Sequence, residues 1–176
     1  MAEMWLPDNY EVPESEPRYM KFQKGTNRFR IMSRPIIGWE YWTEDEDGRH
    51  PNRVKNRDEI PKDMNGEAKH FWAFIVWNSD AETFQILEIT QKTVQKAIRS
   101  LASDVDWGNP EDYDIVVERS GEDLRTEYTV NPKPVKKLDK TVLTAFNDFT
   151  CNLSALYDGG DPFAAEEVED ENEVPF

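Results

Sequence analysis

The stretch "HFWAFIVW", His70 to Trp77, decides how the rest of the chain is read. Its length and its aromatic and β-branched content predict a strand. Successive side chains alternate, so Phe71, Ala73, Ile75 and Trp77 face one way and His70, Trp72, Phe74 and Val76 the other. Both sets are apolar, which leaves two readings open. The strand is central and covered on both faces, or it lines a barrel with Ala73 and Ile75 inside and Trp72 and Phe74 on an outer groove.

Downstream, a turn at Asn78-Ser79-Asp80 leads into Phe84 to Ile89, and the pair reads as a hairpin. At Thr90, placed to cap a first turn, the period changes. Val94, Ala97, Ile98 and Leu101 fall at helical spacing, and Trp107-Gly108-Asn109-Pro110 ends the helix. Tyr113 to Arg119 and Leu124 to Val130 predict two further strands around a Ser120-Gly121 turn. Asn131 to Pro134 breaks the sheet, and 138–149 repeats the helical pattern. Upstream, Phe29 and Ile31 alternate with Arg28 and Arg30, Pro35 interrupts, and Ile36 to Trp42 resumes as an extended piece. Residues 43–69 are polar and read as one long loop.

The order is strand (broken at Pro35), loop, strand, strand, helix, strand, strand. It predicts a mainly β protein: a five-stranded OB-fold barrel with a helix between the third and fourth strands, a C-terminal helix, and disordered acidic ends. An antiparallel sheet packed on a helix fits the same pattern. The expected divisions are an acidic arm over 1–17, the barrel over 18–157 and a flexible tail over 158–176.

Charge sharpens this organisation. The formal net charge is -15, but it is unevenly spread. Residues 1–17 hold five acids and no base, while 18–99 hold fifteen Lys or Arg against twelve Asp or Glu. From Thr141 onward no basic residue occurs. Two acidic ends thus flank a mildly basic, aromatic middle.

Enzyme chemistry finds little support. His50 and His70 have no partner at metal-ligand spacing, and Cys151 is alone. "TEDEDG", Thr43 to Gly48, lacks the full calcium-loop pattern and reads as a solvated turn. Gly25 and Gly121 stand apart, so no phosphate loop is present. The expectation is a protein that is not an enzyme and needs no metal or cofactor. A lone cysteine favours a reducing compartment, and the start has neither a basic region nor an apolar run of the signal-peptide kind. No apolar stretch is long enough to span a bilayer, so a cytoplasmic protein with no membrane partner is expected.

The binding signal is the interleaving of aromatics with Arg and Lys. Single-stranded nucleic acid needs a positive groove with flat rings on which bases stack. The candidates are Lys21, Lys24, Arg28, Arg30 and Arg34 on and around the first strand, Trp39 and Tyr41 on its continuation, Arg53, Lys55 and Arg57 in the loop, and Trp72 and Phe74 on the decisive strand.

"KGTNRFRIMSRPIIGWEYW", "HFWAFIVWN", "QILEITQKTVQKAI", "WGNPEDYDIVVERSG" and "EYTVNPKP" together resemble a family of tailed-phage single-stranded DNA-binding proteins, from about Tyr19 to Phe163. The resemblance implies an OB-fold that coats single-stranded DNA in replication, recombination and repair in the host cytoplasm. The ending "EEVEDENEVPF" is similar to the acidic tip of cellular single-stranded DNA-binding proteins. Glu173 and Val174 stand for the Asp-Ile of that tip, and Pro175 and Phe176 match it directly. This implies host or phage replication and repair proteins as partners. The acidic run, set against the basic middle, also reads as a tail that competes with DNA for the groove. The tail's acids are mostly Glu, and no long Gly/Gln-rich linker precedes them. The other reading of the composition is an acidic adaptor that binds host proteins and never touches DNA.

Overall fold

A computed structural model of the protein describes residues 5–6, 10 and 18–163. The acidic tip Glu173–Phe176 lies outside the described residues, as does most of the arm over 1–17.

Eight strands form one sheet: β1 Tyr19–Met20, β2 Gly25–Ile31, β3 Ile36–Asp45, β4 Gly48–Val54, β5 Lys69–Asn78, β6 Thr83–Ile89, β7 Asp114–Ser120 and β8 Glu127–Pro132. Helix α1 (Lys92–Ser103) lies between β6 and β7, and α2 (Lys140–Asn147) follows β8. The hydrogen-bonded order is β1-β6-β5-β2-β7-β8, with β3 paired to β5 and β4.

The break at Pro35 shapes the sheet. Proline has no N–H to donate, so the ladder stops there. Met32 N–H donates to Ile75 O at 2.8 Å, and Ser33 Oγ accepts from Ile75 N–H at 2.9 Å, which bridges the gap. As a result β2 and β3 share one edge of β5. Ile31 pairs with Val76 and Phe29 with Asn78, whereas Ile36 pairs with Ala73 and Glu40 with Lys69.

Both faces of β5 are covered, which decides between the two readings of His70 to Trp77. Phe74 and Val76 join Phe29, Leu87, Val94, Ile98 and Ile115 in the main core. Phe71 and Ala73 join Ile86 and Leu156 in a second, smaller core. The second core lies under the C-terminal stretch: Leu153, Tyr157 and Phe163 pack against it. Phe163 meets Tyr19 and Phe149 edge-on at 6.2 and 6.1 Å, so packing continues to the last described residue. The Asp161-Pro162-Phe163 stretch is a turn seated in that packing: Asn152 N–H donates to Pro162 O at 2.7 Å.

Several expectations are corrected. The sheet has eight strands and is open, where a closed five-stranded barrel was expected. The outer edge of β6 takes the short parallel strand β1 (Tyr19 opposite Ile86) and does not meet β8. Helix α1 packs against β8 and sends Val94 and Ile98 into the core. The long loop is largely structured: β3 runs on to Asp45 and returns as β4, with "TEDEDG" closing the hairpin and Asp45 Oδ1 accepting from Asp47 N–H at 2.8 Å. The hairpin's outer strand carries Pro51, tolerated there because β4 pairs on one side only. Thr90 is not the helix cap; Gln91 occupies that position, without a side-chain capping bond. Leu124 sits fully exposed in a short 3-10 turn, and β8 begins at Glu127.

Candidate nucleic-acid interface

The core-facing side of β5 changes character along the strand. Val76 and Phe74 are buried, Trp72 is half-buried at the core's margin, and His70 lies beyond it. Register then places Ile37 of β3 beside Trp72 and Trp39 beside His70. Alternation puts Ile37, Trp39 and Tyr41 on that same face. The Trp39 and His70 rings are 4.9 Å apart, and the Arg57 guanidinium lies 4.9 Å from the centre of the Trp39 ring. Ile37 is half exposed at 50%. The result is a strip of aromatic and aliphatic surface, Tyr41–Trp39–Ile37–Trp72, running off the edge of the main core. His70 Nδ1 beside it is buried and has no hydrogen-bond partner among the described residues.

Helix α1 supplies charge to one end of this strip. Lys92, Lys96 and Arg99 are exposed at positions that share one helix face, and Arg99 lines a cavity together with Trp72. Among the described residues, Arg34, Lys92, Lys96 and Arg99 form no salt bridge.

The opposite face of the β3–β4 hairpin is structural. Gly38 allows the close approach of Val54 O, Phe71 and Tyr157, and the Tyr157 hydroxyl donates to Ile37 O at 2.6 Å. Glu40 is 4% exposed and lies 3.6 Å from the Arg53 guanidinium, which binds Glu88 at 2.8 Å. Burial pushes the Glu40 carboxyl up to about 8, aided by a hydrogen bond to Glu88 and repulsion from it. Burial likewise pushes the Cys151 thiol up to about 11, which removes its nucleophilic form at neutral pH.

Of the residues singled out by sequence, the fold brings together Arg34, Trp39, Tyr41, Arg57 and Trp72. It separates the others. Phe74 is 1% exposed in the main core and offers no ring face to a base. Arg30 is buried because the chain after β8 crosses its side of the sheet: its guanidinium donates to Asp114 Oδ1 at 2.7 Å and to Lys136 O at 2.9 Å. Arg28 binds the same carboxylate at 2.8 Å, and Lys24 binds Glu122 at 3.0 Å. Lys21 is exposed on the β1–β2 connection. Arg53 is held by two carboxylates, and Lys55 lies over the Tyr157 ring at 5.2 Å, on the structural face.

Sequence reasoning missed Ile37, His70 and the Lys92–Lys96–Arg99 stripe. The stripe had a readable signal, the 4- and 3-residue spacing of cations on a helix whose apolar face was already recognised. His70 and Ile37 had none, because their exposure depends on where the core ends. Among the described residues no group of three or more His, Cys, Asp or Glu could hold a metal ion, and no helix is long and apolar enough to cross a membrane.

A protein of Escherichia phage T5, named "Probable ssDNA-binding protein", is 27% identical over 64% of this chain. The chain spans about half of that relative's length, 53%. No protein-family model matches the chain, and no solved structure matches it.

Proposed function

We propose that the protein is a non-enzymatic, sequence-tolerant single-stranded DNA-binding protein. The observation that carries this is the Tyr41–Trp39–Ile37–Trp72 strip with Arg57 stacked on Trp39 and a row of cations on α1. Rings on one sheet face, spaced by strand register, offer stacking surfaces to successive bases, while Arg34, Arg99, Lys92 and Lys96 attract the phosphates. The name of the phage T5 relative supports the same reading. In it, strands β2, β5, β6, β7 and β8 with α1 between β6 and β7 form an OB-like connectivity left open at its closing seam.

In a phage setting such a protein coats single strands exposed in replication and recombination, in the host cytoplasm. The tip Glu173-Val174-Pro175-Phe176 recruits replication or repair proteins, and the six acids from Glu166 to Glu173 compete with DNA for the cationic groove. Titrating the intact protein with oligo-dT tests the reading. Binding quenches tryptophan emission at low salt, and the affinity falls as salt rises. Absence of quenching at low salt overturns it in favour of an acidic adaptor that binds proteins alone. Removing residues 166–176 tightens binding at low salt if the tail competes; unchanged affinity across a salt series removes the tail from the account.

A further inference from the structure

The strip does not end at Trp72. Beyond it lies a cavity of about 320 Å³, at the small end of the ~300–1,000 Å³ of ligand pockets. Its floor is core: Ile31, Phe74 and Ile98 are each under a tenth exposed. Trp72 forms one wall, shared with the strip. Two cations reach it from different elements, Arg34 from the β2–β3 break and Arg99 from α1.

The remaining wall is polar and comes from the 3-10 turn Pro110–Asp112 and the residue before it. Asn109 and Glu111 line the cavity there. The Asn109 side-chain oxygen already accepts from Glu111 N–H at 3.0 Å, which leaves its amide N–H groups as donors. The Glu111 carboxylate takes part in no ion pair among the described residues. Asn109 thus brings a donor to this wall and Glu111, which stands between this cavity and the cleft beside Arg30 and Lys136, an acceptor, while the rim offers cations.

We infer that this cavity receives one unstacked nucleobase carrying an exocyclic amine, held against Trp72 with its phosphate on Arg34 and Arg99 and its amine donating to Glu111. The inference rests on the single-strand reading above and deepens it. An apolar side chain from a protein partner would fill the floor, but it leaves the Arg34–Arg99 pair and the Asn109–Glu111 pair unused. A nucleotide engages both, since its charge is on one side of a flat apolar ring and its hydrogen-bonding edge is on the other. A carboxylate accepting from the cytosine amino group is an established mode of base discrimination, whereas thymine presents a carbonyl oxygen at that position and is repelled.

The test uses the full-length protein with an ¹⁵N-labelled tryptophan indole readout and two mononucleotides, dCMP and dTMP, beside oligo-dC and oligo-dT. The expected result is that dCMP shifts the Trp72 indole signal with a Kd near or below about 1 mM, at least about fivefold tighter than dTMP. Glu111→Gln should bring the two mononucleotides to within about twofold of each other. Ala102→Trp, made at an exposed helix position on the cavity wall, should abolish the mononucleotide shifts while oligo-dT still binds along the strip. If neither mononucleotide shifts Trp72 but oligo-dT binds, the pocket inference is wrong and the strip stands. Unchanged dCMP binding in Ala102→Trp also overturns it, because the base then sits elsewhere. If no oligonucleotide binds, the single-strand reading itself falls.

Discussion

Arg53 and Arg57 stand four residues apart, each lies over an aromatic ring, and they have opposite roles. Arg53 is 5.9 Å from the centre of Phe71 and is enclosed by Glu40 and Glu88 on the face of the hairpin that covers the second core. Arg57 is 4.9 Å from the centre of Trp39 on the exposed strip. The lesson is that a cation beside a ring is not by itself a nucleic-acid contact. What separates the two is the hairpin face on which each stands. Glu40 and Glu88 hold Arg53 on the face that covers the second core, whereas Arg57 sits on a ring of the strip that solvent can reach.

The sharpest break in this comparison comes from deleting each arginine in turn. Arg53→Ala leaves the buried Glu40 and the half-buried Glu88 without their cation, and the expected loss is about 1–3 kcal/mol of stability, read from urea unfolding. Its affinity for oligo-dT, per folded molecule, should stay within about twofold of the parent. Arg57→Ala should do the reverse, with unchanged unfolding and a binding loss of about 0.5–1 kcal/mol. If Arg53→Ala weakens DNA binding more than Arg57→Ala does, the assignment of the two hairpin faces is wrong.

The rings themselves come next. Trp39→Ala or Trp72→Ala should each weaken oligo-dT binding by about 1–3 kcal/mol, measured by fluorescence anisotropy. Trp39→Ala should cost little stability, since its ring lies off the main core, whereas Trp72→Ala should lower stability as well.

A pH series separates the faces in a different way. The Glu40 carboxyl is raised from 4.5 to about 8 in the folded protein. The folded state therefore holds this proton more tightly than the unfolded chain does. The associated stability is fully present below about pH 4.5 and is lost as pH rises through about 8. Glu40→Gln should flatten that slope in denaturation curves taken between pH 5 and 8. A slope of the same size in the Gln variant would place the titrating group elsewhere. The smallest effect is expected at Lys24, whose exposed bond to Glu122 and distance from the strip predict less than about 0.5 kcal/mol in either stability or binding for Lys24→Ala.

Much of the strand plan was legible because it is written in local pattern. The hairpin of Phe84 to Ile89 onto His70 to Trp77, the helix with Val94 and Ile98 inward, and the break at Pro35 each follow from alternation, period or a missing N–H. The β3–β4 hairpin was not legible, since its far strand "GRHPNRV" has no apolar alternation and is held by backbone pairing to β3. Closure was also misread: whether β6 meets β8 depends on what competes for its edge, and two residues, Tyr19 and Met20, take that edge. The site was half legible for the same reason. Trp39, Tyr41 and Trp72 could be found from their chemistry, but Arg28 and Arg30 look equally exposed in the alternation of β2. Only the later crossing of the chain near Lys136 shows that their side of the sheet is occupied.

The most direct test follows the indole N–H signals of the protein's six tryptophans during an oligo-dT titration at low salt. Trp39 and Trp72 lie on the strip, while Trp77 stands on the opposite face of β5 and packs on Phe84 at 4.9 Å. The Trp39 and Trp72 signals are expected to shift with the added strand while Trp77 holds still. Shifts led by Trp77, or no shift at Trp39, would contradict the strip as the binding surface.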